Sequence, residues 1–102
     1  MNARSIVHVH GGTREHRREL ARALQNSAIT VLLSSNTAEA AKCLRDSRVL
    51  VSVILDNALF AVTIPTLRPD IQCLEPAREE SIADTVRAVL RELHQDVPTS
   101  ST

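Results

Sequence analysis

The run Val49-Leu-Val-Ser-Val-Ile-Leu55 is the most apolar stretch of the chain, broken by a single serine. It is far too short to span a membrane and holds neither glycine nor proline. A continuous run of this kind suits a strand buried on both faces of a parallel sheet. Such a strand needs a layer of helices on each side, and the flanking sequence supplies that pattern. Ser5-Ile-Val-His-Val-His10 reads as a first strand, stopped by Gly11-Gly12. Thr13 can N-cap a helix that carries Glu15 in its first turn. Leu20, Ala23, Leu24 and Ala28 give this helix an apolar stripe, with Arg14, Arg17, Arg18 and Arg22 mostly on the wet side. Ile29 to Leu33 is a second strand. Asn36-Thr-Ala-Glu39 resembles a capping box and opens a helix running to about Asp46, with Ala40, Ala41, Cys43 and Leu44 turned inward.

Beyond Leu55 the pattern is less regular. Ala58 to Ile64 suits either a strand or a short helix, and Pro65 and Pro69 break it. Ile71-Gln-Cys-Leu74 is a short last strand. Arg78 to His94 is a helix, with Ile82, Val86, Val89, Leu90 and Leu93 on one face. Residues 1–96 thus make one α/β domain, and 97–102 are expected to be a disordered polar tail.

Composition narrows the classes of function. Twelve Lys and Arg balance twelve Asp and Glu, and Phe60 is the only aromatic of the Phe, Tyr and Trp set. A nucleic-acid binder would show a basic footprint and rings on which bases stack, so no nucleic-acid partner is expected. No apolar run reaches the length of a membrane span, and no signal-peptide pattern opens the chain. Two cysteines thirty positions apart make no disulfide framework, which points to a reducing, cytoplasmic setting.

In parallel sheets ligands gather at the carboxyl ends of the strands. That edge is built here from His10-Gly11-Gly12-Thr13, Ser34-Ser35-Asn36, Asp56-Asn57 and Glu75-Pro76. Gly11, Gly12 and Thr13 lie between a strand and a helix N-terminus, where bare backbone N–H groups can hold a phosphate. Two glycines also serve a tight turn. His8 and His10 share one face of their strand and His16 follows one turn into the helix, a conceivable metal site that lacks a fourth ligand at suitable spacing. Satisfied or solvent-facing histidines are the simpler reading, and no metal site is assigned. Cys43 and Cys73 read as buried, inert thiols. Ser34-Ser35-Asn36 lacks the glycine elbow of a hydrolase serine, and no catalytic residue is assigned: the chain reads as a non-enzyme.

The order of elements resembles a response-regulator receiver domain of two-component signalling. Ser52-Val-Ile-Leu-Asp56 resembles the third strand that ends in the phosphorylated Asp. Leu67-Arg-Pro-Asp-Ile71 resembles the segment leading from the third helix into the fourth strand. Leu74-Glu-Pro76, followed by Glu79-Glu80-Ser81-Ile82 and Val86-Arg-Ala-Val-Leu90, resembles the Lys-Pro junction and last helix. The resemblance implies a three-layer flavodoxin-like (CheY-like) parallel sheet of four to five strands, with Asp56 as phospho-acceptor and Mg²⁺ as a cofactor only if Asp56 is phosphorylated.

Several positions depart from that pattern. The acidic pair after the first strand is replaced by His10-Gly11, and the Lys before the Pro by Glu75. The Ser/Thr that ends the fourth strand has no counterpart, and the aromatic switch residue of the last strand is absent from Ile71 to Leu74. Only 18 residues separate Asp56 from Glu75, whereas one parallel crossover already needs about a dozen. At least one helix–strand unit is therefore missing or replaced.

A missing helix would bare the sheet around Val53, Leu55, Leu59 and Phe60, and burial of that patch would drive a homodimer. The expectation is an atypical receiver-like domain that acts through a protein partner of a signalling pathway and not by phosphotransfer. Three alternatives stand beside it. Asp56 could be a working acceptor in a phosphorelay, against the simpler reading of a strand-terminal Asp that caps the following turn. The Gly11-Gly12-Thr13 loop could bind phosphate or a nucleotide. Val51–Leu55 and Ala58–Ile64 could also pair as a hairpin in a thioredoxin-like fold.

Overall fold

The computed structural model describes residues 6–94 and builds them around four parallel strands. These are β1 (Ile6–Gly11), β2 (Thr30–Ser34), β3 (Val49–Leu55) and β4 (Gln72–Leu74), in the order β2-β1-β3-β4. Between and after them lie α1 (Arg14–Gln25), α2 (Thr37–Leu44), α3 (Ala58–Ala61), α4 (Ile64–Leu67) and α5 (Ile82–His94). The tail expected at 97–102 lies outside the described residues. Among those residues no helix is long and apolar enough to cross a membrane.

Alternation along the strands sorts their side chains into two cores. Val7 and Val9 of β1 and Val51, Val53 and Leu55 of β3 pack against Leu20 and Leu24 of α1 and Val89 of α5. On the other face Ile6, Val49 and Ile54 meet Ala40 and Leu44 of α2, Phe60 and Ala61 of α3, and Ile64 of α4. Each large apolar side chain fully buried this way contributes roughly 1.5–3 kcal/mol. The result is the three-layer α/β arrangement, with six of the seven β3 residues buried as the apolar run requires. Leu50 is the exception, 39% exposed. It sits where the register slips from Ile6↔Val49 to Val7↔Val51. The bulge puts one extra residue on β3 and turns Leu50 out of the core.

The segment after β3 settles the ambiguity of the sequence. Asn57 N-caps α3, its Oδ1 accepting the Phe60 N–H at 3.2 Å, so Ala58–Ala61 is helical and no hairpin forms. β4 then pairs with β3 in parallel, which excludes the thioredoxin-like alternative. After β4, α5 packs beside α1. The strand order is the flavodoxin-like 2-1-3-4-5 without its fifth strand. Four strands among the described residues match the helix–strand unit missing between Asp56 and Glu75.

Two helix limits differ from the periodicity. α1 ends at Gln25, and Ala28 is exposed in the left-handed region at φ 63°. It belongs to the reversal into β2 and not to the apolar stripe. α5 starts at Ile82 and not at Arg78, because the Ser81 hydroxyl accepts the Asp84 N–H at 3.1 Å and ends the loop there.

Candidate functional site

The loop from β1 to α1 is shaped by its glycines. Gly11 and Gly12 have φ of +89° and +66°, a region costly for residues with a Cβ. A Cβ on Gly11 would stand 2.3 Å from the Leu55 carbonyl oxygen, and one on Gly12 2.9 Å from the Leu55 Cβ. Thr13 accepts the His16 N–H at 3.0 Å and caps α1. Arg17 reaches back from α1, its Nη1 donating to the Gly11 carbonyl at 2.8 Å and to the Gly12 carbonyl at 3.2 Å. The tight turn therefore accounts for both glycines.

Next to this loop a cleft of about 410 Å³ opens between Gly12, Thr13, His16, Asp56, Pro76 and Arg78. Asp56 lies at the carboxyl end of β3 with φ 54°, a conformation that Asp and Asn tolerate better than most residues. Its carboxylate accepts from Arg78 Nη2 at 2.8 and 3.0 Å, so it does not cap its own turn; that role falls to Asn57. The cation beside Asp56 comes from Arg78, three residues beyond Glu75. No second carboxylate lines the cleft. A Mg²⁺ ion would find one acidic ligand there, already engaged by a guanidinium, and these residues do not fit that ion.

The most unusual feature lies just beneath this edge, on the α2–α3 face. His8 and His10 are fully buried and joined through serines. His8 Nδ1 lies 2.8 Å from Ser52 Oγ, His8 Nε2 2.7 Å from Ser34 Oγ, and His10 Nδ1 2.8 Å from the same Ser34 Oγ. His10 Nε2 lies 3.3 Å from Asn57 Nδ2, and Phe60 covers the His10 ring at a centroid distance of 4.7 Å.

Proton positions along this chain follow from its last member. Asn57 Oδ1 is committed to capping α3, so its Nδ2 faces His10 and donates. His10 Nε2 must accept, which leaves its Nδ1–H to donate to Ser34. The Ser34 hydroxyl then donates to His8 Nε2, and His8 Nδ1–H donates to Ser52. Both imidazoles are thus neutral Nδ1–H tautomers, and the chain runs in one direction from α3 through β1 and β2 to β3. Burial, followed by the neighbouring His10, lowers the His8 pKa from 6.5 to about 4. Burial and then Arg17 lower that of His10, against the opposing influence of Ser34 and Glu39.

The remaining candidates do not assemble. His16 is half-buried in the cleft, apart from the His8–His10 chain, and among the described residues no three His, Cys, Asp or Glu side chains form a metal-binding group. Cys43 and Cys73 are free and half-buried rather than buried. Burial, then Glu39 for one and Glu75 for the other, pushes both thiols up, away from thiolate. Ser35 donates its N–H and hydroxyl to Glu39, and Asn36 caps α2.

The expected bare sheet is a correction. Val53, Leu55 and Phe60 are buried, because α5 covers one face and α3–α4 the other. Of that group only Leu59 is exposed, at 84%. The apolar argument for a homodimer through the sheet lapses with it.

Sequence reasoning preferred satisfied or solvent-facing histidines at His8 and His10 over metal ligands, and the buried, hydrogen-bonded rings bear out the satisfied form; it gave Arg78 and Ser52 no part in the site. An alternating His-Val-His against two strands carrying serine was the available signal for the chain. Nothing local marked Arg78, which meets Asp56 across 22 positions.

Fold and edge geometry together define a shortened three-layer, flavodoxin-like α/β domain. No protein-family model, no curated protein and no solved structure matches the chain.

Proposed function

We propose that this chain is a receiver-like signalling domain that works through contact with a protein partner and not by accepting a phosphoryl group. One observation carries the reading: Asp56, the counterpart of the phospho-acceptor, is paired with Arg78 in a cleft that holds no second carboxylate. Phosphoryl transfer to a carboxylate relies on a metal ion to neutralise the phosphoryl oxygens, and this edge has no ligand set for one. The ion pair ties the end of β3 to the β4–α5 junction. The pair is exposed and therefore weak, so it marks where the two segments meet and occupies the Asp56 carboxylate without fixing the edge rigidly.

Arg78 also favours a second reading, since a guanidinium beside Asp56 is a cation suited to a phosphorylated product. Incubation with acetyl phosphate and Mg²⁺, read by intact mass, separates the two. The expected result is an unchanged mass. A gain of one phosphate that disappears in Asp56→Asn would establish phospho-acceptance and overturn the proposal. Asn accepts the same left-handed backbone, so that variant keeps the fold.

A further inference from the structure

The charges of this chain cancel in total but not in space. Eight of its twelve basic residues lie in residues 1–50, and eight of its twelve acidic residues in 51–102. The first half supplies β2 and β1 and the second half β3 and β4, so the sheet order places the two halves side by side. Among the described residues, arginines therefore cluster beside β2, where Arg18 also borders Glu15 and Glu19, and carboxylates cluster after β4.

At the β2 edge, Arg14, Arg17 and Arg18 face Leu33 and Ser35 across a notch of about 260 Å³. Arg17 is held on the glycine carbonyls, and Glu39, the one acidic lining residue, is held by Ser35. Arg14 and Arg18 form no ion pair among the described residues. β2 pairs only with β1, so its outer side is open, and Leu33 is 41% exposed. At the opposite edge, Glu75 and Glu79 are exposed without an ion pair among the described residues. Glu80 accepts from the Thr85 hydroxyl, and Leu74 and Pro76 form an apolar floor beside Glu75. Asp84 is neutralised by Arg87.

We propose that copies of this chain associate head to tail, with the Glu75–Glu79 edge of one seated on the Arg14–Arg18 notch of the next. A second copy is the occupant because one chain carries both complementary surfaces, beside the two outer strands β2 and β4, each joining charges free of ion pairs among the described residues to an apolar floor. The contact is heterologous, so it builds a string or a closed ring and not an isologous dimer. It stands independently of whether Asp56 accepts phosphate.

Sedimentation velocity on the full chain tests this at about 0.01 M and about 1 M salt, where the screening length falls from about 30 to about 3 Å. Rim charges give weak affinity, so the series extends to about 1 mM protein. The expected result is a sedimentation coefficient that rises with concentration at low salt and returns to the monomer value at high salt. Arg14→Glu/Arg18→Glu and Glu75→Lys/Glu79→Lys alter exposed side chains only. Each should be monomeric alone, and an equimolar mixture should assemble again. A wild-type monomer at both salts, association that strengthens with salt, or a mixture that stays monomeric would each overturn the proposal.

Discussion

Gly11 shows how much one position can decide. Its φ of +89° lets β1 turn directly into α1, and its missing Cβ leaves room for the Leu55 carbonyl oxygen. Gly11→Ala must strain the backbone and push β3 away from β1, where Gly11 and Leu55 are register partners. The expected loss is about 2 kcal/mol or more, read as a lower urea midpoint. Ser34 is the second such residue. Its single hydroxyl accepts from the His10 Nδ1–H and donates to His8 Nε2. Ser34→Ala leaves a buried donor and a buried acceptor unpaired, and we expect roughly 2–4 kcal/mol of destabilisation by the same measurement. In the wild type, NMR should show both imidazoles as neutral Nδ1–H tautomers at pH 7. The alternative Nε2–H form at His10 would refute the assigned direction of the chain.

Among elements, the turn from α4 into β4 is the clearest case of a segment held by one side chain. Arg68 donates from Nη1 to the Leu44 carbonyl at 2.6 Å and the Asp46 carbonyl at 3.1 Å. Its Nη2 donates to the Val49 carbonyl at 2.9 Å and to Asp70 at 2.8 Å. The C-terminus of α2, the start of β3 and the approach to β4 thus meet on one guanidinium, in keeping with the preference of helix C-termini for cations. Arg68→Lys keeps the charge but loses the planar fork, so it should destabilise nearly as much as Arg68→Ala, about 2 kcal/mol. Full rescue by Lys in thermal unfolding would show that charge alone matters. Leu67-Arg68-Pro69-Asp70-Ile71 was legible as a connection into the last strand. The role of Arg68 was not, because the carbonyls it holds lie about twenty residues earlier in the chain.

For the whole molecule, the buried histidines set the response to acid. The folded pKa of His8, about 4, lies below its ordinary 6.5, so between those values the unfolded chain binds a proton that the folded chain refuses. Stability is therefore fully present above pH 6.5, falls as the pH drops through that window, and is lost from this source below about pH 4. The shift corresponds to roughly 3 kcal/mol. His10, also lowered, acts in the same direction. Arg48, through its side-chain and backbone hydrogen bonds, holds Asp46 at about 2, which adds a further loss at still lower pH. Urea unfolding across pH 4–8 should show a steep decline below 6.5. A flat profile would mean that the histidines are protonated within the fold.

What local chemistry determined is what it can encode without distant partners. The apolar run at Val49–Leu55 demanded a doubly covered strand, Thr13 and Asn36 marked helix starts, and the 18 residues between Asp56 and Glu75 implied a missing unit. The first two depend on neighbours a few positions away, and the third on chain length alone. The helical state of Ala58–Ala61 was open, since four apolar residues suit either state until a cap and a parallel β4 are in place. Tertiary structure alone decided that Asp56 meets Arg78 and that His8 and His10 meet across Ser34. Contacts of this kind join positions more than twenty apart in the chain, and only the strand order β2-β1-β3-β4 brings them within hydrogen-bonding distance.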